Sequence, residues 1–201
     1  DERTLYLPGT QPMRIAHGVP GANRVGFYNH QPEEKIAAEI AHVAEHTLVS
    51  AHTHVQIDRQ IEVVADYSSA LHSDPHVDMH SQYRPAVRRW HLVNPGSVGL
   101  PLNGDVRTQF AMLEAVSDDA VWGGWRVSHH RVEYDRRPAL AAYEESGMLE
   151  IGGVISQLFY WELVTADAEL IYFYEWARKT GHDPDGDVRS TFQAYIDSTG
   201  R

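Results

Sequence analysis

The sequence predicts an α/β fold with a helical tail, and three observations carry that prediction. Short apolar runs at residues 13–16, 47–51 and 92–93 each give way to polar or loop-forming residues. Between the first two runs lies a segment whose apolar residues recur at helical spacing. Beyond Asp135, strand-like alternation is replaced by helical periodicity. Strand, loop, helix, strand, loop is the order expected when helices cover a sheet.

Met13-Arg14-Ile15-Ala16 reads as a strand ending at His17-Gly18, and Gly18-Val19-Pro20-Gly21 as a loop. Pro32 suits the first turn of a helix, with Glu33 and Glu34 near its positive end. Ile36, Ile40 and Val43, with Ala37 and Ala44, form its apolar stripe. Residues 47–50 are the next strand. Residues 60–91 are expected to be an insertion, because 67–80 are polar and histidine-rich and read as a loop. Residues 108–114 and 125–134 alternate as strands and are read as antiparallel. Asp135 is placed to cap a helix with Pro138 in its first turn and Gly147 at its end. Further helices are expected at 154–165, at 168–180 closed by Gly181, and at 188–198. Arg178 and Lys179 suit the negative end of the second of these. The expected organisation is a core over 1–135 and a helical extension of the same domain over 136–201.

Composition excludes several classes. The 201 residues are 42% hydrophobic and 22% charged, ordinary for a globular chain. Twenty-eight acidic against 17 basic residues give a net charge of -11, which opposes general nucleic-acid binding. With no cysteine there is no disulfide, thiolate metal site or cysteine nucleophile. The most hydrophobic segment, 151–164, is broken by Glu162 and two glycines, so no membrane span is expected. A cytoplasmic setting is the expectation. The 13 histidines exceed ordinary usage and suit metal binding.

His52-Thr53-His54 is the most informative motif. It follows the apolar run Thr47-Leu48-Val49-Ser50-Ala51. On a strand, two residues one apart face opposite ways; on a loop both can turn towards one centre. Neutral imidazole binds zinc, manganese, iron or nickel. An isolated H-x-H motif more often marks ordinary loop histidines. His17 adds weight because it ends a separate strand. A binuclear site also needs oxygen ligands, normally an Asp between the ions.

Ser50-Ala51-His52-Thr53-His54, then Asn94-Pro95-Gly96-Ser97-Val98-Gly99-Leu100-Pro101, then Gly104-Asp105 and the strand at 108–114, resemble the C-terminal half of the calcineurin-like metallophosphoesterases, and within them a small bacterial phosphodiesterase branch. Ala51 stands where that family usually has glycine, and His17-Gly18 matches an earlier His-Gly at a strand end. The resemblance spans about residues 5–114. It implies a four-layer α/β/β/α sandwich of two mixed sheets, present here in part, with C-terminal helices added. It implies hydrolysis of phosphomonoesters or phosphodiesters by metal-bound hydroxide at a binuclear centre. His17 and His52 would bind one divalent ion and His54 the other, the metals being manganese, iron, zinc or nickel. Asn94 and Ser97 would support the site from a turn beneath it, and no residue of this chain is assigned as catalytic. The family's Asp-x-His, Gly-Asp and Gly-Asn-His/Cys motifs do not precede His17, and Gly104-Asp105 and Gly186-Asp187 come too late in the order. The expectation is a fragment inactive alone, whose N-terminal half was cleaved, left out of the sequence or supplied as a separate chain.

Other clusters have plainer readings. His72, His76 and His80 fall at helical spacing, but Pro75 interrupts it, which favours a loop or lid. His129 and His130 are neighbours on a strand, where packing or surface roles are expected. Arg84, Arg88 and Arg89 beside Trp90 are read as ion-pairing residues, and Trp122, Trp125, Trp161 and Trp176 as packing residues. The aromatic clusters at 159–161 and 172–174 suggest helix–helix contact, within the chain or in a homo-oligomer. The alternative to an enzyme acting on a small phosphate ester is a non-catalytic binding or assembly module that keeps the fold.

Overall fold

The computed structural model describes residues 2–65, 86–116 and 120–201. The histidine cluster at 72, 76 and 80, Arg84 and the loop expected at 67–80 lie outside the described residues. The fold is mixed α/β: a mixed five-stranded sheet, a two-stranded sheet and a run of C-terminal helices. Contacts divide the chain into two units, residues 1–96 with 111–129 and residues 97–110 with 130–201.

In the first unit the strands are β1 (Glu2–Leu5), β2 (Met13–Ala16), β3 (Thr47–Ser50), β4 (Gln56–Ala65) and β5 (Ala86–Pro95), in the order β1-β2-β3-β5-β4. β2 and β5 run parallel to β3, while β1 and β4 pair antiparallel on the two edges. β3 is therefore central, which explains its near-continuous apolar run. Leu48, Thr47 and Ser50 on it are buried. The register Met13↔Thr47 to Ala16↔Ser50 brings the C-terminal ends of β2 and β3 level. His17 and the 52–54 loop consequently emerge side by side.

Helix α1 (Glu33–Glu39) lies between β2 and β3, with Pro32 at its N-cap and Glu33 and Glu34 in its first turn. Ile36 and Ile40 are fully buried, as is Val43 beyond the helix, and they join Phe27, Leu48, Ile57, Ile61, Trp90 and Leu92 in one core. Burying each such side chain stabilises the fold by about 1.5–3 kcal/mol. Trp90 also donates its indole N–H to the Val43 carbonyl at 3.0 Å, fixing the end of the α1 segment to β5.

The expected insertion at 60–91 is corrected at both ends. Residues 60–65 continue β4, and 86–91 belong to β5; the two strands pair from Gln56↔Pro95 to Ala65↔Ala86. The signal is the alternation of Ile57, Ile61 and Val63 with charged neighbours, which the polarity of 67–80 overshadows. β6 (Thr108–Ala115) and β7 (Trp125–Val132) form the two-stranded sheet, with a 3-10 turn at Ala120–Trp122 between them.

The second unit contains α2 (Arg137–Glu145), α3 (Met148–Ile151), α4 (Gly153–Thr165), α5 (Glu169–Thr180) and α6 (Val188–Thr199). The expected helices occur within a few residues of their expected bounds, and α3 is additional. Asp135 accepts from the Arg137 backbone N–H at 3.1 Å, one position outside the N-cap. Gly181 closes α5 with φ 75°, and Asp187 caps α6 by accepting from Ser190 N at 3.0 Å. Leu158, Phe173 and Tyr195 form the helical core, with Trp161, Trp176 and Phe192 packed on it. Tyr172 and Tyr174 remain exposed, so only Phe173 of that triplet serves the internal contact. Among the described residues no helix is long and apolar enough to cross a membrane.

Candidate metal centre

His17 follows β2 and His52 follows β3, so the parallel pairing of those strands determines their meeting. His17 Nε2 and His52 Nδ1 lie 3.2 Å apart, with the rings edge to face at a centroid distance of 5.2 Å. That spacing suits a hydrogen bond between neutral rings. It equally suits two nitrogens on one ion, each bonded at about 2.0–2.1 Å.

The backbone beneath the rings is tied across the strand ends. Ala51 N donates to the His17 carbonyl at 3.1 Å, and Ser50 Oγ donates to the Gly18 carbonyl at 3.0 Å. Thr53 N donates back to the Ala51 carbonyl at 2.8 Å, closing a three-residue turn centred on His52. His52 has φ 69° and His54 φ 58°; besides Ala166 they are the non-glycine residues with positive φ among those described. Left-handed backbone costs an L-residue about 1–2 kcal/mol. Such strain persists where surrounding contacts over-determine it, and it concentrates at functional sites.

Asn94, at the end of β5, supplies much of that determination. Its side chain is buried. Nδ2 donates to the Ala51 carbonyl at 3.0 Å and to Thr53 Oγ1 at 3.1 Å, while Oδ1 accepts from Gly96 N at 2.9 Å. One amide thus holds the histidine loop and its own Asn-Pro-Gly turn. Ser97 Oγ accepts from Leu100 N at 3.0 Å. Gly26 closes in from the other side. A Cβ there would stand 2.6 Å from Thr53 Cγ2 and 3.0 Å from His52 Cδ2, so the approach requires glycine.

His17 is exposed; His52 and His54 are half-buried. The His52 pKa is lowered from its ordinary value, first by burial and then by repulsion from His17 and His54, against an opposing hydrogen bond to the Arg24 backbone. The neutral ring with a free lone pair is therefore favoured, which is the metal-binding form. Among the described residues, however, no group of three or more His, Asp or Glu side chains converges closely enough to hold an ion. The donor set fits a metal in part: two imidazole nitrogens at ligand spacing, a third imidazole two residues on, and no carboxylate joining them.

Two clefts border the pair. One, about 430 Å³, is lined by His17, residues 18–23 and Glu2. The other, about 390 Å³, is lined by His52 together with Arg24, Tyr28, His30, Lys35 and Glu39. Sequence reading passed over this second set. Its signal is a pair of cations shortly after His17-Gly18 in an acidic chain.

The remaining candidates are engaged in packing. His129 Nε2 lies 2.8 Å from the Asn94 carbonyl, and His130 stacks on Phe110. Arg89 pairs with Glu62 at 2.5 Å, and Arg88 lies over Trp90 while donating to the Ala41 and Val43 carbonyls. Trp125 is buried and donates to the Gln11 carbonyl at 3.1 Å.

No family model matches the chain, and no curated protein matches it. Among solved structures it is similar to a metallophosphoesterase from Sphaerobacter thermophilus, at 21% identity over 81% of this chain and 57% of that one, with a TM-score of 0.48. It is also similar to a hypothetical protein from Pyrococcus horikoshii, at 18% identity over 77% of this chain and 47% of that one, with a TM-score of 0.47. The chain spans about half the length of these solved structures.

Proposed function

We propose that this chain carries the histidine-rich side of a binuclear, metal-dependent phosphoesterase centre of the calcineurin-like type, hydrolysing a phosphomonoester or phosphodiester. One observation carries the proposal: His17 Nε2 and His52 Nδ1 stand 3.2 Å apart at the ends of adjacent parallel strands. The strained backbone at His52 and His54 supports it, because plain loop histidines do not call for two left-handed residues. Polar residues at the C-terminal ends of parallel strands are also where α/β sites are built.

In this proposal His17 and His52 hold one divalent ion and His54 a second. Bound there, the ions would supply Lewis acidity and a water that ionises near neutral pH. The chain's own contribution is placement. Asn94 and Gly26 fix the loop, the strand register brings His17 to it, and burial favours the neutral His52 ring. A bridging carboxylate and further oxygen ligands complete such a centre, and the described residues do not gather them. Activity is therefore assigned to the protein that includes those ligands.

The test is hydrolysis of a phosphodiester and a phosphomonoester by the intact protein, with and without manganese. Loss of metal-dependent turnover in the His52→Ala, His54→Ala double variant is expected. Unchanged turnover would dismiss the assignment. The alternative, a binding or assembly module that keeps the fold, rests on the described residues gathering no carboxylate beside these histidines. Metal binding without hydrolysis by the intact protein would favour it.

A further inference from the structure

We propose that the cleft walled by Arg24, Tyr28, His30, Lys35, Glu39 and His52 is a leaving-group subsite for a flat aromatic ring joined to a phosphate, as in a nucleoside monophosphate. Its role beside the reacting phosphate rests on the phosphoesterase reading; its ligand chemistry rests on the cleft itself.

Charge comes first. The chain carries a net charge of -11, yet Arg24 and Lys35 put two cations against one carboxylate, Glu39, in this cleft. An anionic ligand is favoured locally against the field of the whole chain.

The second feature is a ring platform. Tyr28 and His30 stand 5.5 Å apart with their planes tilted by 33°, and both line the cleft. Aromatic side chains beside a cationic groove are how proteins hold bases without reading their sequence. Glu39 Oε2 is buried without a hydrogen-bond partner and lines the same cleft. As an acceptor-only carboxylate in the wall, Glu39 favours a ligand that carries hydrogen-bond donors over a bare phosphate.

The walls are held in place. Tyr28 N donates to Gln31 Oε1 at 2.8 Å, and Gln31 N donates to the Tyr28 carbonyl at 3.1 Å. From β4, Arg59 Nη1 donates to the Gln31 carbonyl at 2.7 Å, and the neighbouring Phe27 is fully buried. The volume of about 390 Å³ falls in the ordinary range for small-ligand sites.

The experiment is calorimetric titration of the 201-residue chain, in EDTA, with adenosine 5′-monophosphate and with ribose 5-phosphate, which lacks the ring. The nucleotide is expected to bind about tenfold more tightly, the scale of base stacking on an aromatic side chain. Tyr28→Leu should remove that preference and Tyr28→Phe should retain it; Tyr28 lies at the surface, so both variants should fold. Lys35→Gln should weaken both ligands several-fold. Equal affinity for the two probes, no binding of either, or a preference that survives Tyr28→Leu would overturn the subsite. Because binding is read without metal, failure of hydrolysis leaves a ring preference standing. Hydrolysis without ring preference overturns the subsite alone.

Discussion

Asn94 Nδ2 lies 3.1 Å from Thr53 Oγ1, so the end of β5 grips the residue between the two histidines. The same amide nitrogen reaches the Ala51 carbonyl, which already accepts from Thr53 N. The histidine loop is thus held from the sheet rather than by its own turn alone.

Replacing Asn94 tests that grip. Asn94→Ala leaves the Ala51 carbonyl short of one partner and the buried Thr53 hydroxyl without this donor, at a cost of about 1–3 kcal/mol. Asn94→Asp removes the donor and sets an oxygen against the Ala51 carbonyl; the Thr53 hydroxyl can turn to donate to it, but a buried charge is added, so the variant should be no better tolerated. Urea unfolding of the two variants measures the loss; a change below about 0.5 kcal/mol would mean the amide is dispensable.

Gly26→Ala should displace the loop without disturbing the core. The added methyl would meet Thr53 Cγ2 and the His52 ring. Overpacking of this kind costs about 1–3 kcal/mol. The His52 ring resonances should move in an NMR spectrum while those of Leu48 and Leu92 stay in place. Unshifted His52 resonances would refute the close approach.

In the proposed metal centre, strain at His54 would set stability against function. His54→Gly suits φ 58° without the Cβ penalty. The backbone relief, about 1–2 kcal/mol, is offset by the freer unfolded chain and by loss of the half-buried imidazole's contacts, so stability should change by less than about 1 kcal/mol. Binding of a second divalent ion should be lost. A loss of more than about 1 kcal/mol in thermal unfolding would show that the His54 side chain holds the fold.

In the helical unit, Glu162 and Glu169 are both buried. Glu162 is raised from its ordinary value of 4.5 by burial first, with repulsion from Glu169 adding to it and the Leu170 N–H opposing it. Glu169 is raised by burial despite Arg201. An acid raised in the folded state contributes its full stability below the ordinary value. That contribution is lost as pH rises through the folded value. Glu162→Gln should therefore raise the unfolding temperature at about pH 8 and change it little at about pH 4. A drop at the higher pH would contradict this.

The delivery of the imidazoles was legible in the sequence because β2, β3 and α1 each carry a pattern that their burial explains. Leu48 sits on a strand covered on both faces, and Ile36, Ala37 and Ile40 turn one stripe to the core; the expected stripe ends there, because α1 stops at Glu39, Val43 is buried from the following turn and Ala44 is exposed. The meeting of His17 with His52 needed the parallel register of β2 and β3, which no local pattern encodes. β4 and the part of β5 before Leu92 are hidden in the sequence because the polar residues between them outweigh a true two-residue alternation. Asn94 read as a turn residue, and it is one; its second role comes from burial against a loop some forty residues earlier. The cleft beside His52 mixes loop and helix residues whose convergence only the folded chain brings about.

The most direct measurement is long-range proton–nitrogen NMR of the imidazole rings during zinc titration of the 201-residue chain. Shared coordination requires His17 Nε2 and His52 Nδ1 to move together to metal-bound shifts at one equivalent, with His17→Ala abolishing the change at His52. If His52 Nδ1 keeps its shift while zinc binds elsewhere, or if the two rings respond independently, these imidazoles do not form a metal centre.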